Sequence, residues 1–268
     1  RDELTTVNFS IEAPVQARVA IISGTVNQWV SEIERQGDSY NHQRTEFSYY
    51  SALRQLGLAV DFISTDSDFE PYDLIIAPCL PIVDDTFIKK CQQASAHFVF
   101  GPRSGSKTDE LSLAPNLPPG KLQTLLPIKV LSTETIRPDC NEKLFYQGNT
   151  FESRCWREEL SVPSGATIVA SYHDDTPAVV RQGKTTYVAS LTCDTFLISL
   201  FESLANECAI PNIRLPKDMR IVHRGDIAYV FNYASYPQEF PDQNMGTFIL
   251  GQAQLNAFDV AVIKINKT

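Results

Sequence analysis

Short apolar runs alternate with amphipathic stretches through the first hundred residues, and this alternation limits the chain to few folds. The apolar runs have the length and composition of strands that are covered on both faces of a sheet. Between them, apolar residues at helical spacing predict one helix over 45–56 and another that starts just after Asp84 and Asp85 and runs to about residue 96. Strand–helix–strand units of this spacing predict an α/β fold in which helices flank a parallel sheet. The four predicted strands are 17–23, 58–63, 73–77 and 97–100.

The pattern changes after residue 100. Residues 102–142 are rich in Pro, Ser and Thr, which predicts an irregular excursion. A Gln-Gly-Lys sequence at 182–184 predicts a hairpin turn, and Asp194 is expected to cap a helix that ends near Cys208. The short strands expected in this part are 167–171, 178–181 and 185–190.

Pro211 and Pro216 mark a boundary, beyond which short β runs alternate with tight polar turns. Such runs predict a small antiparallel sandwich or barrel. We therefore expect a leader or linker over 1–16 and a flavodoxin-like (class I glutamine amidotransferase-like) domain over 17–210. A small C-terminal β-sandwich domain is expected over 211–268. Its predicted strands are 220–223, 227–231, 247–250 and 261–265.

The charge balance argues against nucleic acid as a partner. Lys and Arg number 23 and Asp and Glu number 32, so the formal net charge of the 268 residues is −9, and no basic stripe with interleaved aromatic residues offsets it. No apolar run approaches the ~20 residues that span a bilayer, and the first residues do not resemble a secretory signal. The six cysteines form no Cys-x-x-Cys pair and predict reduced thiols in a cytoplasmic protein.

The Gly-Pro-Arg-Ser-Gly-Ser-Lys-Thr sequence at 101–108 follows the fourth predicted strand and is similar to a phosphate-binding loop. In such a loop four residues separate the first glycine from a Gly-Lys-Thr sequence, and a helix follows. Here Gly105 comes one position too early and no helix start follows, which favours a strand-ending turn. The adjacent Asp84 and Asp85 allow acid–base chemistry, but their place before a helix favours capping.

Cys79 follows the third predicted strand, where amidotransferase-like proteins carry a nucleophilic cysteine. A strained nucleophile turn needs small neighbours, whereas Pro78 and Leu80 flank Cys79. No histidine is placed by sequence to act as its base, so a buried structural thiol is the favoured interpretation.

Four further residues or groups could bind a ligand. Arg103 can form a two-pronged pair with a ligand carboxylate or phosphate, with a carboxylate across a subunit contact, or with one in its own chain. The His-Asp-Asp sequence at 173–175 could bind a metal, or face water in a polar turn. Trp29 and Trp156 could stack on a sugar ring, although scattered tryptophans usually pack. We predict no catalytic, cofactor-binding or metal-binding residue.

Four segments together resemble the C-terminal part of glycoside hydrolase family 42, the bacterial β-galactosidases built from three domains. A weaker resemblance covers 218–266. The four segments are Ala-Arg-Val-Ala-Ile-Ile at 17–22 with Asn-Gln-Trp at 27–29, the helix-to-strand run at 49–61, Tyr-Asp-Leu-Ile-Ile-Ala-Pro at 72–78 with Asp-Asp at 84–85, and the turn at 101–108.

The resemblance implies that catalysis belongs to an N-terminal (β/α)8 barrel, whose two glutamates act in a retaining mechanism. Such a barrel takes about 250 residues, so it is expected to lie outside this chain, which begins just before the second domain. The resemblance assigns the α/β domain to homotrimer assembly and brings no cofactor, nucleic acid or membrane partner. Two alternatives stay open. They are a free-standing amidotransferase-like enzyme using Cys79, and a sugar-binding module using Trp29 or Trp156.

Overall fold

The computed structural model describes residues 14–35, 37, 40–137, 139–140 and 142–266. The predicted leader at 1–16 lies mostly outside them. The described residues form a large mixed sheet with helices on both faces, followed by smaller antiparallel sheets.

Five strands make up the parallel part of the large sheet, in the order β2-β1-β3-β4-β10. β1, β3 and β4 are buried at every position, as their continuous apolar sequences predict. Successive residues point to opposite faces, so Ile21 packs in one core and Ile22 in the other. The five strands are β1 (Val19–Ile22), β2 (Val60–Ile63), β3 (Leu74–Ala77), β4 (His97–Phe100) and β10 (Thr185–Val188).

The predicted parallel sheet is present but is only part of a mixed sheet, because antiparallel strands extend it beyond β10. The turn at 182–184 forms the predicted hairpin, and a two-residue hairpin can only join antiparallel strands. The predicted irregular excursion at 102–142 is partly wrong, since it contains a 3-10 helix (Gly120–Thr124) and β5. The antiparallel strands are β5 (Lys129–Thr135), β6 (Glu142–Tyr146), β7 (Asn149–Ser161), β8 (Thr167–Tyr172), β9 (Pro177–Gln182) and β11 (Ser190–Thr192).

Helices cover the sheet from two sides. α2 and α4 pack on one face and α3 on the other, each with its own cluster of buried side chains. Asp84 caps α3 by accepting a hydrogen bond from the Phe87 amide at 2.7 Å, as predicted. Asp194 does not cap α4, because it is the first helical residue and Cys193 holds the capping position. The helices are α1 (Thr25–Ile33), α2 (His42–Gln55), α3 (Asp85–Gln93) and α4 (Asp194–Glu207).

The C-terminal part forms a four-stranded antiparallel sheet in the order β12-β13-β17-β15, beside a two-stranded sheet. It encloses a core of its own, which includes Met219, Val230 and Phe240. Arg54 of α2 donates to the Ile221 carbonyl at 3.1 Å and joins this part to the large sheet. The strands are β12 (Met219–Arg224), β13 (Ile227–Asn232), β14 (Gln238–Glu239), β15 (Gly246–Leu250), β16 (Gln254–Leu255) and β17 (Val260–Ile265), of which β14 and β16 were not predicted.

Candidate assembly surface

Helix α1 directs a row of large apolar side chains into solvent. Val26, Trp29 and Ile33 are 52%, 57% and 70% exposed. Residues at this spacing lie on one helical face, whereas Val30 between them points inward and is buried. We call Val26, Trp29 and Ile33 the α1 row. An exposed tryptophan between aliphatic neighbours is typical of a protein contact surface.

The inner side of α1 is mostly polar. Its buried residues are Asn27, Val30 and Ser31. The Ser31 hydroxyl donates to the Asn27 carbonyl at 2.8 Å and lies 3.4 Å from Nδ1 of the buried His42. The helix is therefore attached to the body of the protein by hydrogen-bonding groups as well as by Val30.

The turn at 101–108 holds the C-terminal end of α1. The Arg103 guanidinium donates to the Glu34 carbonyl at 3.1 Å, and Lys107 Nζ lies 2.5 Å from the Glu34 carboxylate. Glu34 directly follows the helix. Cations at this end complement the helix dipole, so the turn both anchors and electrostatically stabilises α1.

Two glycines allow this turn to lie against its neighbours. An added Cβ at Gly101 would lie 2.0 Å from the Pro78 carbonyl oxygen, and one at Gly105 would lie 1.9 Å from that of Pro119. Gly105 also has a left-handed φ of +66°. The Ser104 hydroxyl accepts a hydrogen bond from the Leu80 amide at 3.1 Å. The two glycines are therefore needed for close packing of the turn. The turn is not a phosphate loop, because no helix follows it directly: the next helical segment begins at residue 120.

Arg103 is buried and makes its contacts within its own chain. Its guanidinium lies 5.0 Å from the Tyr40 ring centroid and 5.8 Å from the Trp156 ring. Its backbone amide donates to Glu158 Oε1 at 2.8 Å. The guanidinium therefore has intrachain contacts with a carbonyl and two rings, and the structure shows no two-pronged pair between it and a carboxylate of the described residues. The buried Trp156 cannot present a ring face to a sugar here, whereas Trp29 can.

Glu158 is the acidic centre beneath this turn. Its carboxylate also accepts hydrogen bonds from Trp156 Nε1 at 3.1 Å and from the Tyr187 hydroxyl at 2.7 Å. Burial raises the pKa of Glu158 to about 7, although hydrogen bonds from Tyr187, Arg103 and Trp156 act in the opposite direction. The contact between Arg103 and Glu158 spans 55 residues, and no spacing rule could have found it.

Cys79 is buried at 2% exposure and lies beside His42 and Tyr40. Nε2 of His42 is 3.2 Å from the Glu46 carboxylate. Burial lowers the pKa of the His42 imidazole, but Cys79 and Glu46 outweigh this effect and raise the pKa from 6.5 to about 9. A thiol, an imidazole and a carboxylate are the groups of a thiol nucleophile site. Sequence reasoning missed His42 because it lies 37 residues before Cys79, on another element.

The remaining candidates have local roles. Asp85 pairs with Lys121 at 2.9 Å on the surface. Asp174 accepts hydrogen bonds from Thr176 and Arg157, which lower its pKa despite partial burial. Among the residues that the structure describes, no cluster of three or more His, Cys, Asp or Glu side chains could hold a metal ion. No helix in the described part of the chain has the length and apolar character needed to cross a membrane.

The comparisons with known proteins identify a family for this chain. The family described as "Beta-galactosidase trimerisation domain" matches residues 17–211. The chain is similar to β-galactosidase BgaA of Thermus sp, with 34% identity over 247 residues that cover 92% of this chain and 38% of the relative. The chain thus spans well under half the length of that relative.

Two solved structures show the same fold. The β-galactosidase from the psychrophilic Marinomonas ef1 matches with a TM-score of 0.92 and 24% identity, covering 99% of this chain and 41% of that one. The β-galactosidase from Rahnella sp. R3 matches with a TM-score of 0.81 and 27% identity, covering 94% of this chain and 42% of that one.

Proposed function

The chain belongs to the β-galactosidase trimerisation-domain family, and from this premise we propose that it is the assembly portion of a longer β-galactosidase, which it holds together as a homotrimer. The observation that carries the proposal is the family match over 17–211. A cyclic trimer needs one contact repeated three times between two different surfaces. The exposed α1 row offers one apolar surface of the kind such a contact requires.

Hydrolysis of terminal β-galactosides is proposed for the longer protein. The residues described by the structure form no eight-stranded parallel barrel, because only five of their strands run parallel in the large sheet. The retaining mechanism needs two carboxylates flanking the scissile bond. We therefore place the catalytic pair outside this chain and assign no catalytic residue to it.

The finer organisation is part of the same proposal. We assign 17–210 to a flavodoxin-like trimerisation domain and 211–268 to a small C-terminal β domain. The parallel order β2-β1-β3-β4-β10 supports the first assignment, because it is the strand order of flavodoxin-like sheets. All six cysteines are free thiols, which supports a cytoplasmic location.

Light scattering over a concentration series tests the assembly proposal. We expect the molar mass of the 268-residue chain to rise toward three copies as concentration increases. A molar mass that stays at one copy at the highest concentration would contradict it.

A chromogenic galactoside assay tests the proposal that the catalytic residues lie outside this chain. We expect no hydrolysis by this chain. Turnover that disappears when one of the chain's own carboxylates is mutated would contradict the proposal. Turnover that varies between preparations of one variant identifies a contaminating host enzyme instead.

A further inference from the structure

We propose that a cleft between β5 and β6 binds a neutral saccharide of the β-galactoside class. The cleft has a volume of about 720 Å³, within the range of small-molecule sites in proteins. Its walls come from β5, β6 and β7 and from the residue that follows β8. The choice of a galactoside rests on the proposed function, whereas the preference for a saccharide follows from the lining residues.

The cleft exists because the chain leaves the sheet between β5 and β6. Both strands pair with β7, and β5 ends at Thr135 while β6 begins at Glu142. The Ile136 amide still donates to the Cys155 carbonyl of β7 at 2.9 Å, and Cys155 has a left-handed φ of +62°. The described residues of 136–141 lie outside the strands. Those that line the cleft are Ile136, Arg137 and Cys140.

Charged side chains at the base of the cleft are held in place before a ligand binds. The Arg157 guanidinium pairs with Glu142 and, at 2.5 Å, with Asp174, and it lies 4.3 Å from the Tyr172 ring centroid. The side chains of Arg157 and Glu142 are only 12% and 10% exposed. Nδ1 of His173 lies 3.3 Å from the Glu142 carboxylate. Because these groups are already ordered, a ligand that binds to them immobilises few side chains.

The charges around the cleft favour a neutral ligand with several hydroxyl groups. Arg137 and Lys143 at the cleft supply donors, and Glu134 supplies acceptors. Arg157 is balanced by its carboxylate partners, so the cleft has no large excess of either charge. A charged ligand therefore meets like charges as well as opposite ones. A hydroxyl both donates and accepts, so it can bind to either kind of side chain.

Phe145 gives the cleft an apolar wall. Its ring is 41% exposed, and its cross-strand neighbours Thr150 and Ser171 are small polar residues. A saccharide ring combines an apolar C–H face, which packs against an aromatic ring, with hydroxyls at its edge. An aromatic wall beside charged donors and acceptors matches both parts of such a ring.

Calorimetric titration with methyl thio-β-D-galactoside tests the inference, because its sulfur linkage resists hydrolysis by contaminating enzymes. The proteins are the wild type, Phe145→Ala, Glu134→Gln and the control Phe47→Ala, whose ring on α2 is 66% exposed. We expect Phe145→Ala to raise the dissociation constant about tenfold and Glu134→Gln about threefold. The control should match the wild type, and circular dichroism melting checks that each variant is folded.

A fifth protein, Trp29→Ala, separates the cleft from the other exposed aromatic ring that could bind a sugar. Binding heat that persists in Phe145→Ala and disappears in Trp29→Ala overturns the cleft as the site. A wild type that gives no binding heat overturns the inference as well. Neither result changes the molar mass from light scattering, which tests the proposed function separately.

The exposed Cys140 thiol at the cleft gives a second test that needs no variant. We expect saturating thiogalactoside to slow alkylation of Cys140 by iodoacetamide at least threefold, and to leave that of Cys208 unchanged. Mass spectrometry of the digested protein measures both rates. An unchanged Cys140 rate at a ligand concentration that saturates the calorimetric signal overturns the inference, since the ligand would then be bound elsewhere.

Discussion

Helices α1 and α3 are both nine residues long and both follow a parallel strand, yet they bury opposite kinds of side chain. α3 buries Phe87, Ile88 and Cys91, while α1 buries Asn27, Val30 and Ser31. α3 therefore completes its packing within the chain. α1 leaves most of its apolar surface outside, where only another surface can cover it.

The ends of the two helices differ in the same sense. The Asp84 carboxylate closes the start of α3, whereas Gly24 begins α1 without a side-chain cap. α1 is instead held by tertiary contacts at its C-terminal end, from Arg103 and Lys107. One helix is stabilised by its own sequence and the core, and the other by a turn that lies far away in sequence.

Truncating the buried face of α3 should give the largest effect. Phe87 is buried, and its ring lies 5.9 Å from that of Phe69 and 6.2 Å from that of Phe100. We expect Phe87→Ala to lower the free energy of unfolding by about 3–5 kcal/mol, as measured by urea denaturation. The matched change Trp29→Ala should alter that of the monomer by less than about 0.5 kcal/mol. Equal losses in the two variants would remove the contrast between the helices.

The pH dependence of stability tests the role of Glu158, which lies beneath the turn that holds α1. Burial raises the pKa of Glu158 from its ordinary 4.5 to about 7, so the unfolded chain loses this proton at lower pH than the folded chain. The wild type should therefore lose roughly 3 kcal/mol of stability between about pH 4.5 and 7, relative to Glu158→Gln. Above about pH 7 the difference should stay constant.

Hydrogen exchange locates this pH effect. We expect amide protection in α1 of the wild type to fall with rising pH, relative to the Glu158→Gln variant. Protection in α3 should be the same in the two proteins at every pH. Parallel stability curves for the wild type and the variant would contradict this prediction, because they would show that folding does not raise the pKa of the Glu158 carboxyl.

Changes at the two helix starts should give the smallest effects, with opposite signs. Asp84→Ala removes the cap of α3 and should cost about 1 kcal/mol. Gly24→Ser adds a capping hydroxyl to α1 and should stabilise the chain by a few tenths of a kcal/mol. An added Cβ at Gly24 has room, since its nearest neighbour is Asn27 Nδ2 at 3.7 Å. Thermal melting of both variants beside the wild type measures the two shifts.

The parallel strands could be predicted from the sequence because they are buried on both faces and read as unbroken apolar runs. β4 was predicted with the bounds it has, His97–Phe100. β7 was not predicted, although it is thirteen residues long. Charged residues interrupt the alternation of apolar and polar side chains along β7, so its sequence lacks a clear strand pattern. Cys155 within it also has a φ of +62°, which is unusual for a strand residue.

The candidate site was harder to predict than the fold. Val26, Trp29, Val30 and Ile33 have the spacing of a helix, and that signal could have identified α1. No helix is predicted over this segment in the sequence analysis, because its β-branched residues and its lack of a side-chain cap are weak helix signals. The supports from Arg103, Glu158 and His42 come from separate elements. No local pattern predicts such contacts, because chain topology alone brings them together.

The mixed sheet has a consequence for synthesis on the ribosome. Thr185 of β10 pairs with Phe98 of β4, so β4 obtains its second neighbour only after about 87 further residues have been made. At synthesis rates of about 5–20 residues per second this takes on the order of ten seconds. During that interval the nascent chain carries an unpaired strand edge beside Phe98 and Phe100, and such edges promote aggregation. The antiparallel insertion thus makes early folding of this protein dependent on protection of the β4 edge.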